Sequence, residues 1–222
     1  MARLKALRRP LQCAAMTPGQ TRVLRGFWAV VTLGLILTAG GILGLDRAIA
    51  AWTATLPEAD TIWDGGTALL DLVVLKDISN FLLGFILLLA AGVLLLLGST
   101  RSIGWPLLYV GAVQFASTVI ADLSKPQLGR LRPFEAESNP GAADTWFVGA
   151  NSFPSGHAAF YAGLFLPLML LFPRWAALFA IPPLFIAAAR VVEHDHYLSD
   201  VTASITLAAL MAIAFRFILD RA

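Results

Sequence analysis

The uncharged run over residues 27–45 constrains this chain more than any other feature. Wound as a helix at about 1.5 Å per residue, it nearly crosses a hydrocarbon core about 30 Å thick. Comparable apolar stretches recur at 81–98, 103–123, 155–172, 175–189 and 197–219. The spacing therefore predicts an all-α fold: an integral membrane bundle of six transmembrane helices over residues 27–222, behind a basic cytoplasmic tail at 1–26. Composition agrees, with 58% hydrophobic and 14% charged residues against roughly 45–50% and about 25% in soluble domains. A sequence pI near 9.0 would suit a nucleic-acid partner, but so few charges fit membrane orientation better. Cys13 is the single cysteine and forms no internal disulfide. Ala48-Ile49-Ala50 resembles a signal-peptidase site, so a cleaved leader competes with an uncleaved first span. The run exceeds the usual signal core of about 7–15 apolar residues, which favours the span.

Charge placement then orients the bundle. Arg3, Lys5, Arg8, Arg9, Arg22 and Arg25 fill the tail without an acid, and Arg101, Arg174, Arg216 and Arg221 fall on the same side of six spans. Arg47, Lys76, Lys125, Arg130, Arg132 and Arg190 fall on the other. By the positive-inside rule the first side is cytoplasmic. Residues 46–77 mix Trp52 and Trp63 with Glu58, Asp60, Asp64 and Asp71 around Gly65-Gly66. They read as an interfacial segment between spans one and two, with tryptophans at headgroup level, or as a lining of the substrate entrance.

Three polar segments share the outer side: 125–133, 154–157 and 190–200. Lys125, Arg132 and Arg190 are cations placed against the topological bias, and binding an anion is the simplest reason for them. Arg offers a planar fork to two phosphate oxygens and Lys a compact charge; contact with lipid headgroups is the competing explanation. Pro154-Ser155-Gly156-His157 stands where a loop becomes a helix, with Ser155 as N-cap and free first-turn N–H groups that favour an anion. His196 and Asp200 are four residues apart. On one helical face the carboxylate fixes the imidazole tautomer and leaves the other nitrogen as nucleophile; a plain structural His–Asp cap is the alternative. His194 is poorly spaced for that partnership and reads as an entrance residue or bystander. Glu193-His194-Asp195-His196 could chelate a metal on a loop, but no second group of ligands completes a site and the neighbouring cations oppose one.

Lys125 with Arg132-Pro133, Pro154-Ser155-Gly156-His157, and Arg190 with His196 and Asp200 together resemble the three-part signature of the type 2 phosphatidic acid phosphatase superfamily. The resemblance implies a phosphatase acting on a membrane lipid phosphate, with no metal or other cofactor. It implies that His196 attacks phosphorus to give a phosphohistidine, that Asp200 orients it, and that His157 protonates the leaving oxygen and then activates water. Lys125, Arg132, Ser155, Gly156 and Arg190 would hold the phosphate oxygens. One departure is visible: the family usually has Ser before the last arginine, and here it is Ala189, which removes one hydroxyl contact. Arg130 is extra to the signature and is expected on a second phosphate or a sugar. Family members of this size suggest undecaprenyl diphosphate, phosphatidylglycerophosphate, diacylglycerol pyrophosphate or lipid A phosphates as substrates. An outward site favours a polyprenyl diphosphate at a bacterial inner membrane, with the site facing the periplasm. A lipid phosphotransferase and a non-enzymatic transporter or binder of anionic lipids are the alternatives.

Overall fold

A computed structural model describes residues 16–56, 62–138 and 145–221. The tail cations Arg3, Lys5, Arg8 and Arg9, together with Cys13, Glu58, Asp60 and Asp144, lie outside the described residues. The described chain is helical throughout: α1 (Pro18–Gly40), a π-helical turn (Gly41–Leu45), α2 (Asp46–Thr53), α3 (Ile62–Val73), α4 (Leu82–Leu96), α5 (Arg101–Leu128), α6 (Pro133–Glu137), α7 (Gly156–Leu171), α8 (Ala176–Val192) and α9 (Leu198–Arg221). Four helical stretches, Pro18–Thr53, Arg101–Glu137, Pro173–Val192 and Leu198–Asp220, are long and apolar enough to cross a membrane. Leu82–Leu96 and Gly156–Leu171 are apolar but shorter.

Helix ends follow local chemistry. Thr17 and Gln20 form a reciprocal capping box ahead of Pro18, so α1 begins well before the uncharged run. It also continues past the run. Asp46 does not end the span, because its carboxylate is 3% exposed and paired inside the bundle, away from lipid. The extra residue of the π turn just before it rotates α2 relative to α1 and sets Asp46 on the inner side. At the far end of α5, Gly129 adopts φ 52° and its N–H bonds the Lys125 carbonyl, a left-handed stop that puts Lys125 in the last helical turn.

α7 is the central helix, packed between α5, α8 and α9, while α1 packs on α9 and α4 on α5. Its Phe160, Tyr161 and Leu170 are buried, and a cluster of Phe27, Val31, Tyr109, Val113, Leu166 and Ile213 joins α1, α5, α7 and α9. Between apolar helices in lipid the gain comes from close packing, and small residues permit it. A Cβ at Gly163 would lie 3.0 Å from Gln114 Cα, so α5 and α7 meet almost backbone to backbone there. Polar ties add register: Tyr109 Oη donates to the Ala212 carbonyl at 2.9 Å, and the Thr38 and Thr202 hydroxyls pair at 2.9 Å. The Ser204 hydroxyl bridges the Ser155 and Asp200 carbonyls at 2.9 and 2.8 Å, fixing the start of α7 against the start of α9.

Candidate active site

The polar ends of α5, α7, α8 and α9 converge, and the first cluster there surrounds Asp200 in the opening turn of α9. Its carboxylate is fully buried and accepts four contacts. Oδ1 takes Arg130 Nη1 at 2.6 Å; Oδ2 takes the Ser152 hydroxyl at 2.6 Å and the Tyr197 backbone N–H at 2.9 Å, with His196 Nδ1 at 3.4 Å. The His196 contact is the longest of the four, beyond the usual hydrogen-bond range. The ring is also placed through its backbone, since His196 N–H donates to the Arg190 carbonyl at 3.0 Å. With Nδ1 facing Asp200, Nε2 is the nitrogen left for chemistry.

Behind Asp200 lies Arg130, only 3% exposed. It binds Asp200, the Ser199 hydroxyl at 2.6 Å and Asp46 Oδ2 at 2.6 Å, and its guanidinium lies between the rings of Trp146 and Tyr197 at 4.4 and 4.0 Å. Asp46 in turn accepts the Ser199 N–H and hydroxyl at 2.9 and 2.5 Å. The expectation that Arg130 meets a second phosphate or a sugar is therefore corrected. Its fork is spent on two buried carboxylates and its faces on two rings, which leaves it no open side.

His157, the second residue of α7, forms a separate cluster with Asp71 of α3 and Lys76 just beyond it. Its Nε2 lies 3.0 Å from Asp71 Oδ2 and 2.9 Å from Lys76 Nζ, and Tyr161 Oη donates to Asp71 Oδ1 at 2.7 Å. Burial alone would raise the Asp71 carboxyl; the hydrogen bonds from His157 and Tyr161 and the charges of His157 and Lys76 outweigh it and hold Asp71 below its ordinary value. Burial pulls the Lys76 ammonium below the usual lysine value, Asp71 opposes this, and the charges of Arg190 and Lys125 reinforce it. Ser155 caps α7, its hydroxyl accepting the Ala158 N–H at 3.4 Å, as the sequence predicts.

The cations meet carboxylates. Lys125 Nζ is 3.9 Å from Asp122 and would be 3.1 Å from a Cβ at Gly156, which sets it against the first turn of α7. Arg132 reaches Asp195 Oδ1 at 3.1 Å and Arg190 reaches Asp195 Oδ2 at 2.5 Å, so one carboxylate bridges both arginines. Arg190 also contacts Glu193. Burial pushes Glu193 up to about 7 against the pull of Arg190, aided by Asp64 and Asp195. Lys125, Arg132 and Asn151 share a cleft of about 510 Å³ with Asp122, Leu123 and Pro126.

His194 turns away from this centre. It sits at φ 59°, its carbonyl accepts the Phe134 N–H at 3.4 Å, and its Nδ1 lies 3.4 Å from Glu137. Glu193 and Asp195 both meet Arg190 while His194 faces Glu137 and His196 faces Asp200, so these four side chains do not converge on one point. Sequence reasoning missed Asp46, Asp71, Lys76 and Ser152. The signal for the two aspartates was their burial cost: an acid beside a membrane span requires a partner.

Two curated relatives share part of the chain. A protein named lipid A 1-phosphatase from Rhizobium etli is 34% identical over 104 residues, 44% of this chain and 45% of that protein. One of the same name from Rhizobium johnstonii is 33% identical over 118 residues, 48% of each. The chain thus spans about half the length of the curated relatives it matches. No solved structure gives a significant match. The model of the PAP2 superfamily matches residues 104–221, which hold every signature residue above and just over half of the sequence, and the chain belongs to that superfamily.

Proposed function

We propose that this protein is a membrane phosphatase that removes phosphate from a lipid phosphate without a metal ion, through a phosphohistidine on His196. The observation that carries the reading is the place of Arg190: its carbonyl holds the backbone of His196, which is seated on buried Asp200, its charge acts on His157, and it shares Asp195 with Arg132, while Lys125 lies against Gly156. In the first step His196 Nε2 forms a bond to phosphorus as the bond to the leaving oxygen breaks. His157 gives its proton to that oxygen. In the second, water attacks phosphorus, the P–N bond breaks, and His157 takes the proton of the water. Lys125, Arg132, Arg190, the Ser155 hydroxyl and the Gly156 N–H hold the remaining oxygens where charge develops. Arg132 and Arg190 exchange their shared Asp195 carboxylate for phosphate as substrate binds.

Six spans with the tail inside put this end of the bundle at the non-cytoplasmic surface, in a bacterial inner membrane the periplasmic one. The shorter α4 and α7 complete the six. The names of the relatives favour a phosphorylated saccharide lipid of the lipid A kind over the polyprenyl diphosphate expected from the outward site alone. A release assay in detergent tests both, with lipid A, undecaprenyl diphosphate and phosphatidylglycerophosphate as substrates and a second lipid as possible acceptor. Phosphate appears from lipid A with EDTA present, and no phosphorylated acceptor forms. Complete loss in EDTA with recovery on adding a divalent ion overturns the metal-free mechanism.

A further inference from the structure

Asp46, Asp71 and Lys76 all precede residue 104, where the family match begins. Asp46 acts on the site at one remove, through Arg130. Asp71 touches a signature histidine directly.

A buried carboxylate beside membrane helices carries a solvation cost that simple docking of α3 does not require. Trp63 stacked on Phe185 at 5.2 Å, and Gly66 closed against the same ring, already fasten that helix to α8. Asp71 is 6% exposed, and both its oxygens are engaged by α7, through Tyr161 and His157. The contact with His157 is shorter than the one between His196 and Asp200, 3.0 against 3.4 Å. One nitrogen faces two groups of opposite charge. With Nε2 facing Asp71, its N–H donates to that carboxylate and Nδ1 is the nitrogen left to give and take a proton. The Asp71 charge favours the ring that carries both protons; the Lys76 charge favours the ring that has lost the Nδ1 proton. These are the two states through which an acid and then a base must pass.

We propose that Asp71 is a positioning residue for His157, holding the ring in orientation and favouring its charged form over the opposing burial and cations, so that the site contains two His–Asp couples of opposite duty. His196–Asp200 presents a nucleophile. His157–Asp71 presents the Nδ1 proton to the leaving oxygen, and the Lys76 charge favours the ring after that proton has gone. The proposal rests on the phosphatase reading above, in which His157 is the proton donor. The groups facing His157 are Asp71 of α3 and Lys76 just beyond it, Tyr161 through Asp71, and Arg190 from α8.

The test compares leaving groups. An alkyl phosphate expels a strongly basic oxygen and needs the proton; a nitrophenyl phosphate does not. With purified full chain in detergent, Asp71→Asn lowers kcat/KM for a lipid alkyl phosphate about 10²-fold, the lower end for loss of acid catalysis, and for p-nitrophenyl phosphate less than about tenfold. Its alkaline limb in the pH–rate profile moves to lower pH, because the imidazolium has lost its acceptor. Asp71→Glu recovers part of the alkyl rate and of the limb. Equal losses on both substrates, an unmoved limb, or no loss at all overturn the proposal. If Asp71→Asn does not fold, a normal limb and normal leaving-group dependence in Asp71→Glu and Tyr161→Phe overturn it as well. Failure of the underlying reading shows differently, as a wild-type chain that releases phosphate from neither substrate.

Discussion

Arg130 and Asp46 are separated by 84 positions in the chain and by 2.6 Å in the fold. Arg130 spans from the beginning of α2 to the beginning of α9, sharing its one positive charge between Asp200, proposed to orient His196, and Asp46, a carboxylate distant from it in the chain. Removing one partner of a buried pair costs about 3–5 kcal/mol. Arg130→Met therefore lowers thermal stability in detergent by that order and abolishes turnover. Asp46→Asn, which keeps one oxygen for Arg130 and the Ser199 hydroxyl but turns an amide NH2 towards the Ser199 N–H, costs less than Arg130→Met. Equal unfolding temperatures for wild type and Arg130→Met would contradict the arrangement.

Ser152 holds Asp200 at 2.6 Å, closer than His196 does. A hydrogen bond to a charged group contributes about 1.5–3 kcal/mol. Ser152→Ala should lower kcat tenfold or more, by roughly 1.4 kcal/mol per factor of ten, with substrate KM little changed. Steady-state kinetics on one lipid phosphate measures both. Asp200→Asn should be far more damaging, since it also reverses the tautomer preference of His196.

Glu193 links pH to the arginine cluster. Its carboxyl is raised to about 7 in the fold from an ordinary 4.5, with burial as the main cause. Between those two values the unfolded chain has released a proton that the folded one retains, so the contribution of this group to stability is full below about 4.5 and lost as pH rises through 7. Glu193→Gln removes that loss. Thermal unfolding should show the variant more stable than wild type at pH 8 and equal to it at pH 4.5; the opposite order would show that the Arg190 contact dominates.

Asp195 occupies both arginines proposed to bind phosphate. A carboxylate in that position competes with the product. Asp195→Asn should lower the inhibition constant for inorganic phosphate several-fold and slow product release, so that kcat falls while phosphate binds more tightly. Inhibition titrations at constant substrate check it.

Much of this was legible in the sequence because lipid is an unforgiving solvent. Apolar runs located the helices to within a few residues at 81–98 and 155–172, and the loop-to-helix junction at Ser155 is a local signal that needs no tertiary contact. Charge placement grouped the signature residues, and the ends of α5, α7, α8 and α9 that carry them do meet in the fold. The rest was not legible because it depends on distance in space. Asp46 ended the predicted first span since an unpaired acid must leave lipid; its partner lies in another helix. Arg130, which looked like a spare cation, is the buried partner. Residues 46–77 carried no periodic pattern that distinguished interfacial packing from lining the site, and Asp71 and Lys76 were passed over for that reason. α5 outran its predicted end through Leu128, taking Lys125 into its last turn, because only the left-handed Gly129 stops it.

The Ser204 hydroxyl has one proton and two carbonyls within reach, at the start of α7 and of α9. The Ser155 N–H also donates to the Asp200 carbonyl at 3.2 Å, so the two signature histidines ride on a jaw tied backbone to backbone as well as through Ser204. The opposite jaw, residues 62–76, is fastened by side chains: the Trp63–Phe185 stack and the bonds of Asp71. A displacement of that segment parts its side-chain contacts first, so the surroundings of His157 can shift while those of His196 stay fixed.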